Sequence, residues 1–114
     1  MPHIILEFAE QALSTEQIPT ILNAIHMAVL ESGLFEASHI KTRAYPMPYY
    51  TNAGGDEPYI HVTARIKSGR NSEQKKSLSQ VIVSALSGLS LQVQVITVEV
   101  VDMDRSSYSK LQNR

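Results

Sequence analysis

Two residues in this 114-residue chain have the chemistry to move a proton and to hold an anion. The first is Pro2, directly after the initiator methionine. A small second residue lets the methionine be trimmed, and the new terminus is then a secondary amine. Such an amine is mostly protonated in neutral water. Burial at the head of a strand, among cationic side chains, disfavours the charged form and lowers the pKa. The amine then takes a proton as a general base near pH 7 and returns it as a general acid. A Met-Pro start also serves processing or turnover alone, so the dipeptide by itself leaves both readings open. The second residue is Arg70, in Ser68-Gly69-Arg70-Asn71, between a strand end and a helix start. Free backbone N–H groups and the helix dipole favour an anion there, and a guanidinium grips a carboxylate bidentately. The competing reading is a solvated loop arginine.

Other chemistries find little support. The chain has no cysteine, which excludes disulfides, thiolate nucleophiles and Cys-type zinc sites. Its four histidines show no ligand spacing, so no metal is expected, although His3 and His61 could be neighbours on one sheet face. No phosphate-binding loop, nucleophile elbow or dinucleotide fingerprint occurs. Tyr45, Tyr49, Tyr50 and Tyr59 read as packing or interface, because basic residues are too sparse around them for a base-stacking platform. A net charge of −1 provides no field to gather nucleic acid or an acidic membrane. With neither a signal-peptide pattern nor a membrane-length apolar run, the expectation is a soluble cytoplasmic protein.

The elements that must position Pro2 and Arg70 follow from periodicity. His3 to Phe8 is a short β-prone run starting at the terminus. Ser14, with Gln17 three residues on, reads as a helix start, and Ile18, Ile21, Leu22, Ile25, Ala28 and Val29 recur at helical spacing up to Gly33. Pro19 moves the regular start toward Ile18. His39 to Tyr45 alternates as a strand, and the turn-rich run Pro46 to Pro58 is expected to project as a hairpin loop. Tyr59 to Lys67 alternates with Ile60, Val62, Ala64 and Ile66 on one face. Asn71 caps a second helix whose stripe is Leu78, Val81, Ile82, Ala85 and Leu86. Val93 to Val101 is the last strand, and the polar remainder from Asp102 reads as a tail.

The order is strand, helix, strand, twice. Thr15-Glu16-Gln17 and Ser72-Glu73-Gln74 open the two helices 57 residues apart, and Pro2-His3-Ile4 and Pro58-Tyr59-Ile60 open the two first strands 56 apart. The expectation is one α/β (α+β) domain over 1–114, a duplicated β-α-β with halves near 1–57 and 58–114. Its four strands form one mixed sheet, and right-handed crossovers place both helices on one face. The opposite face carries His3, Glu7, Lys41, Arg43, Tyr45, His61, Arg65, Lys67 and Glu99. It is either a wet face with cross-strand pairs or a face covered by another copy of the chain. Met27 and Leu30, off the main stripe of the first helix, point to further apolar surface in need of a partner.

MPHIILEF, Ile40-Lys41-Thr42-Arg43, and His61-Val62-Thr63 through Ser68-Gly69-Arg70-Asn71-Ser72-Glu73 lie in one order along the chain. Together they make it resemble the 5-carboxymethyl-2-hydroxymuconate delta-isomerase family of the tautomerase superfamily. The resemblance implies a homotrimer with inward-facing sheets and a cofactor-free 1,3-allylic proton transfer. The substrate it implies is an unsaturated 2-hydroxy or 2-oxo di- or tricarboxylic acid of aromatic-compound catabolism. It makes Pro2 the proton shuttle and Arg70 a ligand of the substrate carboxylate. The family has an arginine where this chain has Lys41, which keeps the charge but not the planar fork. Arg43, two residues on and on the same face, is a further candidate for substrate binding. The alternative is a non-catalytic trimeric ligand-binding or interaction protein on the same scaffold.

Overall fold

The computed structural model describes Met1–Arg114 throughout. β1 (His3–Ala9) starts beside the amino terminus yet lies inside the sheet, whose strand order is β2-β1-β3-β4. Its apolar residues at every second position decide which face is buried: Ile4, Leu6 and Phe8 point into the core, while His3, Ile5 and Glu7 face the other way. β2 (Lys41–Met47) runs parallel to β1, β3 (Tyr59–Lys67) runs antiparallel to β1, and β4 (Val95–Met103) runs parallel to β3. The sheet is therefore mixed.

The helices are α1 (Gln17–Glu31) and α2 (Ser72–Ser87). Ile21, Ile25 and Val29 of α1 share one buried cluster with Leu78, Ile82 and Leu86 of α2 and with Ile4, Leu6, Ile60, Val62 and Ile66 of the sheet. Both helices therefore cover the same sheet face. Each of these fully buried aliphatic side chains stabilises the fold by about 1.5–3 kcal/mol before entropy is counted. Leu30 also packs against this cluster, so it is not surface awaiting a partner. Met27 is 44% exposed.

α1 begins at Gln17, later than a Ser14 cap would place it. Pro19 is then its third residue, where the missing N–H has no intrahelical acceptor to lose. Ser14 keeps a role: its backbone N–H donates to Gln17 Oε1 at 2.8 Å. Asn71 caps α2 as expected and forms a complete capping box with Gln74.

Four other expectations need correction. β2 starts at Lys41, because Ala37–His39 forms a 3-10 turn first. It continues through Pro46 and Met47, since an edge strand tolerates a residue without an N–H. The segment after it is no hairpin loop, because β1 lies between β2 and β3; only Asn52–Gly55 turns tightly, with reciprocal backbone bonds of 3.0 and 2.9 Å. β4 is displaced by two residues to Val95–Met103, matched in length to its nine-residue partner β3. The polar remainder from Asp102 is consequently no free tail: Met103 is buried and Arg105–Ser107 forms a 3-10 turn capped by Asp104.

Candidate active site

A cavity of about 250 Å³ opens at the head of β1, lined by Met1, Pro2, Phe35, Lys67, Arg70 and Arg105 among others. Pro2 is fully buried there, and its carbonyl accepts the Lys41 N–H at 3.0 Å. That bond ties the terminus to the start of β2.

Arg70 stands where β3 hands over to α2. Gly69 makes the turn possible, because its φ of +126° is closed to other residues. Arg105 Nε donates to the Ser68 carbonyl at 2.6 Å, which brings a second guanidinium over the same turn. Arg70 itself is half-buried: Nη2 donates to the Leu34 carbonyl at 2.7 Å, and the guanidinium lies 4.9 Å from the Phe35 ring centroid. These contacts fix its plane and leave other donors of the fork for a carboxylate. The anion-binding backbone expected at this helix start is partly consumed. The Asn71 N–H donates to Gln74 Oε1, and the Gln74 N–H donates to Asn71 Oδ1. Lys67, Arg70 and Arg105 add side-chain charge to what remains of it.

That charge acts on the terminus. Burial first, then Lys67, Lys110, Arg70 and Arg105, hold the Met1 amine below its usual pKa. His3 is also lowered, by burial and then by Arg43, the terminal amine, Lys41 and Arg65. Arg43 Nη1 donates to His3 Nδ1 at 3.1 Å, since a guanidinium has no acceptor. His3 Nε2–H is then the donor to the Tyr108 hydroxyl at 2.8 Å.

The structure thus brings Pro2 and Arg70 to one cavity and leaves Lys41 and Arg43 outside it. Arg43 lies on the open sheet face against His3. Lys41 Nζ donates to the Ser38 carbonyl at 3.3 Å and lines a neighbouring cavity of about 480 Å³. His3 and His61 are not neighbours: His3 pairs with Arg65 across the ladder, and His61 with Glu7. His61 instead bonds Thr97 Oγ1 at 2.7 Å and Glu99 Oε2 at 2.6 Å. No three His, Asp or Glu side chains cluster as a metal site would require.

Lys67 and Arg105 were not candidates from sequence. Lys67 is two residues beyond Arg65, the antiparallel partner of His3, so the ladder carries it to the level of residue 1. Arg105 follows Met103, the parallel partner of Lys67. The signal for both was the strand pairing, which periodicity alone does not contain.

Known proteins share this fold. The family model described as 5-carboxymethyl-2-hydroxymuconate isomerase matches residues 2–109. The 5-carboxymethyl-2-hydroxymuconate Delta-isomerase of Escherichia coli is 23% identical over 84 residues, 72% of this chain and 67% of that protein. Among solved structures, a 5-carboxymethyl-2-hydroxymuconate isomerase from Deinococcus radiodurans R1 superposes with a TM-score of 0.82 at 21% identity, covering 98% of this chain and 90% of that one. A fused 4-OT, solved as an asymmetric trimer, gives 0.80 at 16% identity, with 95% and 91% covered. These structures share the duplicated strand-helix-strand tautomerase fold. With the family model spanning all but the ends of the sequence, the chain belongs to the 5-carboxymethyl-2-hydroxymuconate isomerase family and is an isomerase of the tautomerase superfamily.

Proposed function

We propose that this chain, once Met1 is removed, uses the Pro2 amine to move a proton across an allylic system in an unsaturated 2-hydroxy or 2-oxo di- or tricarboxylic acid. The observation that carries the reading is Pro2 itself: it is buried at a cavity that also holds Lys67, Arg70 and Arg105. The cations that depress the Met1 amine would act one residue further in on a more deeply buried nitrogen. The free amine takes a proton from the 2-hydroxyl or from the carbon next to the carbonyl, and an N–H bond forms as that bond breaks. The electron pair passes into the conjugated system. The ammonium then returns the proton to the carbon at the far end, so the reaction is redox-neutral. Arg70 holds the carboxylate beside the 2-oxygen, and Lys67 and Arg105 stabilise the dienolate charge that develops. Substrate of this class fits the names of the relatives in Escherichia coli and Deinococcus radiodurans.

The same reading makes the chain one domain of two halves, 1–57 and 58–114, assembled as a homotrimer through its open sheet face. Exposed Tyr45 and Val95 on that face, and the trimeric fused 4-OT, support the assembly. Sedimentation equilibrium at micromolar concentration would give the trimer mass, and a clean monomer would refute it. The catalytic reading is tested with two preparations, one processed to Pro2 and one retaining Met1. The processed form is expected to ketonise a simple 2-hydroxydienoate, and the other to be slower by about 10²–10⁴, because its Pro2 nitrogen is a peptide nitrogen. Equal rates would exclude the proline as the base.

A further inference from the structure

After Met103 the chain makes the 3-10 turn Arg105–Ser107, and that turn is secured from both sides. Asp104 Oδ1 accepts the Ser106 N–H at 3.1 Å, and Arg105 Nε donates to the Ser68 carbonyl at 2.6 Å. The turn brings Tyr108 back to the end of β3, where Lys67 Nζ lies 5.3 Å from the centre of its ring. An ammonium at that distance is attracted by the ring face. Lys67 enters none of the ion pairs of the fold, His39–Glu36, His61–Glu99 and Lys75–Asp102. A lysine stem is flexible, so its ammonium stays at a cavity only where something holds it. The Tyr108 ring is held in its turn. It meets the His3 ring at 64° with centroids 6.0 Å apart, and its hydroxyl accepts from His3 Nε2 at 2.8 Å. Arg43 donates to His3 Nδ1 at 3.1 Å, which fixes the tautomer that serves Tyr108.

We propose that Tyr108 is a positioning residue for the isomerisation: its ring holds the Lys67 ammonium at the Pro2 cavity, and the His3 hydrogen bond holds the ring. The proposal rests on the isomerase reading above and adds a residue that does not itself line the cavity. Tyr108 acts twice through Lys67. The fixed ammonium stabilises the dienolate charge as it develops. It also stands beside the terminal amine, and after burial it is the foremost of the charges that disfavour the protonated form. The other charged and titratable groups facing that amine come from every neighbouring element. They are Arg70 from the turn before α2, Glu36 and His39 from the segment before β2, Arg105 and Lys110 from the segment after β4, and His3 next along β1. All of these stay in place when the ring is removed, except that His3 loses its acceptor. A released Lys67 therefore weakens the opposition to the amine's proton, and less free base remains at a given pH.

The test uses the protein processed to Pro2, its rate on a simple 2-hydroxydienoate, and an NMR titration of the isotope-labelled terminal proline. Tyr108→Leu removes the ring and is expected to lower kcat about fivefold with KM unchanged, the pattern for an interaction made in the transition state. It should also move the rise of kcat/KM with pH, and the amine's own titration, to higher pH. Tyr108→Phe keeps the ring without its hydroxyl and should fall between the parent and Tyr108→Leu. On a Lys67→Met background, neither Tyr108 variant should change the rate or the titration further. A parent-like kcat and titration in Tyr108→Leu overturns the proposal. So does the same loss on the Lys67→Met background, which would make Tyr108 structural only. Should Tyr108→Leu fail to fold, a parent-like titration in Tyr108→Phe overturns the hold through His3. The titration needs no turnover, so an inactive processed parent would refute the isomerase reading while the place of Tyr108 is still decided.

Discussion

The heads of β1 and β3 hold corresponding positions in the sheet and carry different chemistry. Each follows a proline, and each proline carbonyl accepts an N–H from the start of the parallel neighbour, from Lys41 at 3.0 Å for Pro2 and from Gln94 at 2.8 Å for Pro58. Around Pro2 stand Lys67, Arg70 and Arg105. Pro58 instead follows the acidic pair Asp56-Glu57, and nearby Asn52 Nδ2 donates to the Glu57 carbonyl and to Gln94 Oε1. Pro58 is only half-buried, and its nitrogen is always a peptide nitrogen. The backbone arrangement alone therefore confers no reactivity. A chain end and a set of cations must be added to it.

The largest effect expected from this contrast comes from acylating the processed terminus. A terminal amine is a weaker base than a lysine amine, and the burial and cations that hold the Met1 amine below its usual pKa act in the same direction at this end, so a limiting acylating reagent should modify Pro2 selectively. The isomerisation rate should fall by about 10²–10⁴, in step with the modified fraction measured by mass. Pro58→Ala should stay within about twofold of the parent. A fully acylated protein that keeps its rate would abolish the distinction between the two heads.

The turns before the helices sharpen the contrast. At the 57-residue offset Leu13 corresponds to Arg70. Leu13 is buried in the core cluster, while Arg70 lines the cavity. Leu13→Ala should cost about 2–4 kcal/mol of unfolding free energy, read by urea denaturation, with KM unchanged. Arg70→Ala should lower kcat/KM about tenfold, roughly 1.4 kcal/mol of transition-state stabilisation. Its effect on stability should be smaller than that of Leu13→Ala. Both variants losing stability alone would make Arg70 a structural residue.

Helix capping gives a milder version. Asn71→Ala removes the acceptor for the Gln74 N–H and is expected to cost about 1 kcal/mol, near 4 °C in Tm. Ser14→Ala removes only a 3.2 Å hydroxyl contact to Gln17, while the backbone N–H bond to that side chain survives. It should shift Tm by less than half as much. Equal shifts in a thermal melt would show that the two helix starts are energetically alike.

Which of these features the sequence discloses depends on their range. Asn71, Gly33 and the alternation of Tyr59–Lys67 are local signals, and the structure follows them. Pro2 and Arg70 are legible because each marks a chain end or an element boundary, where backbone groups lack regular partners. Lys67 and Arg105 reach the cavity only through the β1–β3 and β3–β4 registers, and no local pattern encodes which strands pair. The run Pro46 to Pro58 misleads for the same reason: its prolines and glycines mark turns, but not that β1 separates the strands on either side. The residues past Asp102 look like a polar tail because their anchors, Met103 in the core and Tyr108 on His3, are single side chains without periodicity.

The smallest expected effect distinguishes His3, beside Pro2, from Tyr59, beside Pro58. His3 has a folded-state pKa below its usual 6.5, through burial and then through Arg43, the terminal amine, Lys41 and Arg65. The folded protein thus binds fewer protons than the unfolded chain between that lowered value and 6.5, and stability rises with pH across this window. The contribution is complete above 6.5, declines as the pH falls through the folded pKa, and levels off below it. Protonation would put a proton on Nδ1, where the Arg43 guanidinium now donates, and add a cation to a cationic neighbourhood. Urea midpoints measured from about pH 5 to 7.5 should rise with pH in the parent protein. The slope should flatten in His3→Gln and shrink in Arg43→Met, which removes a charge that depresses His3. Tyr59→Phe should leave it untouched, because Tyr59 stands at the head of β3 and is not the ladder partner of His3. An identical slope in His3→Gln would mean that the charge around β1 acts on the terminal amine without involving its neighbour.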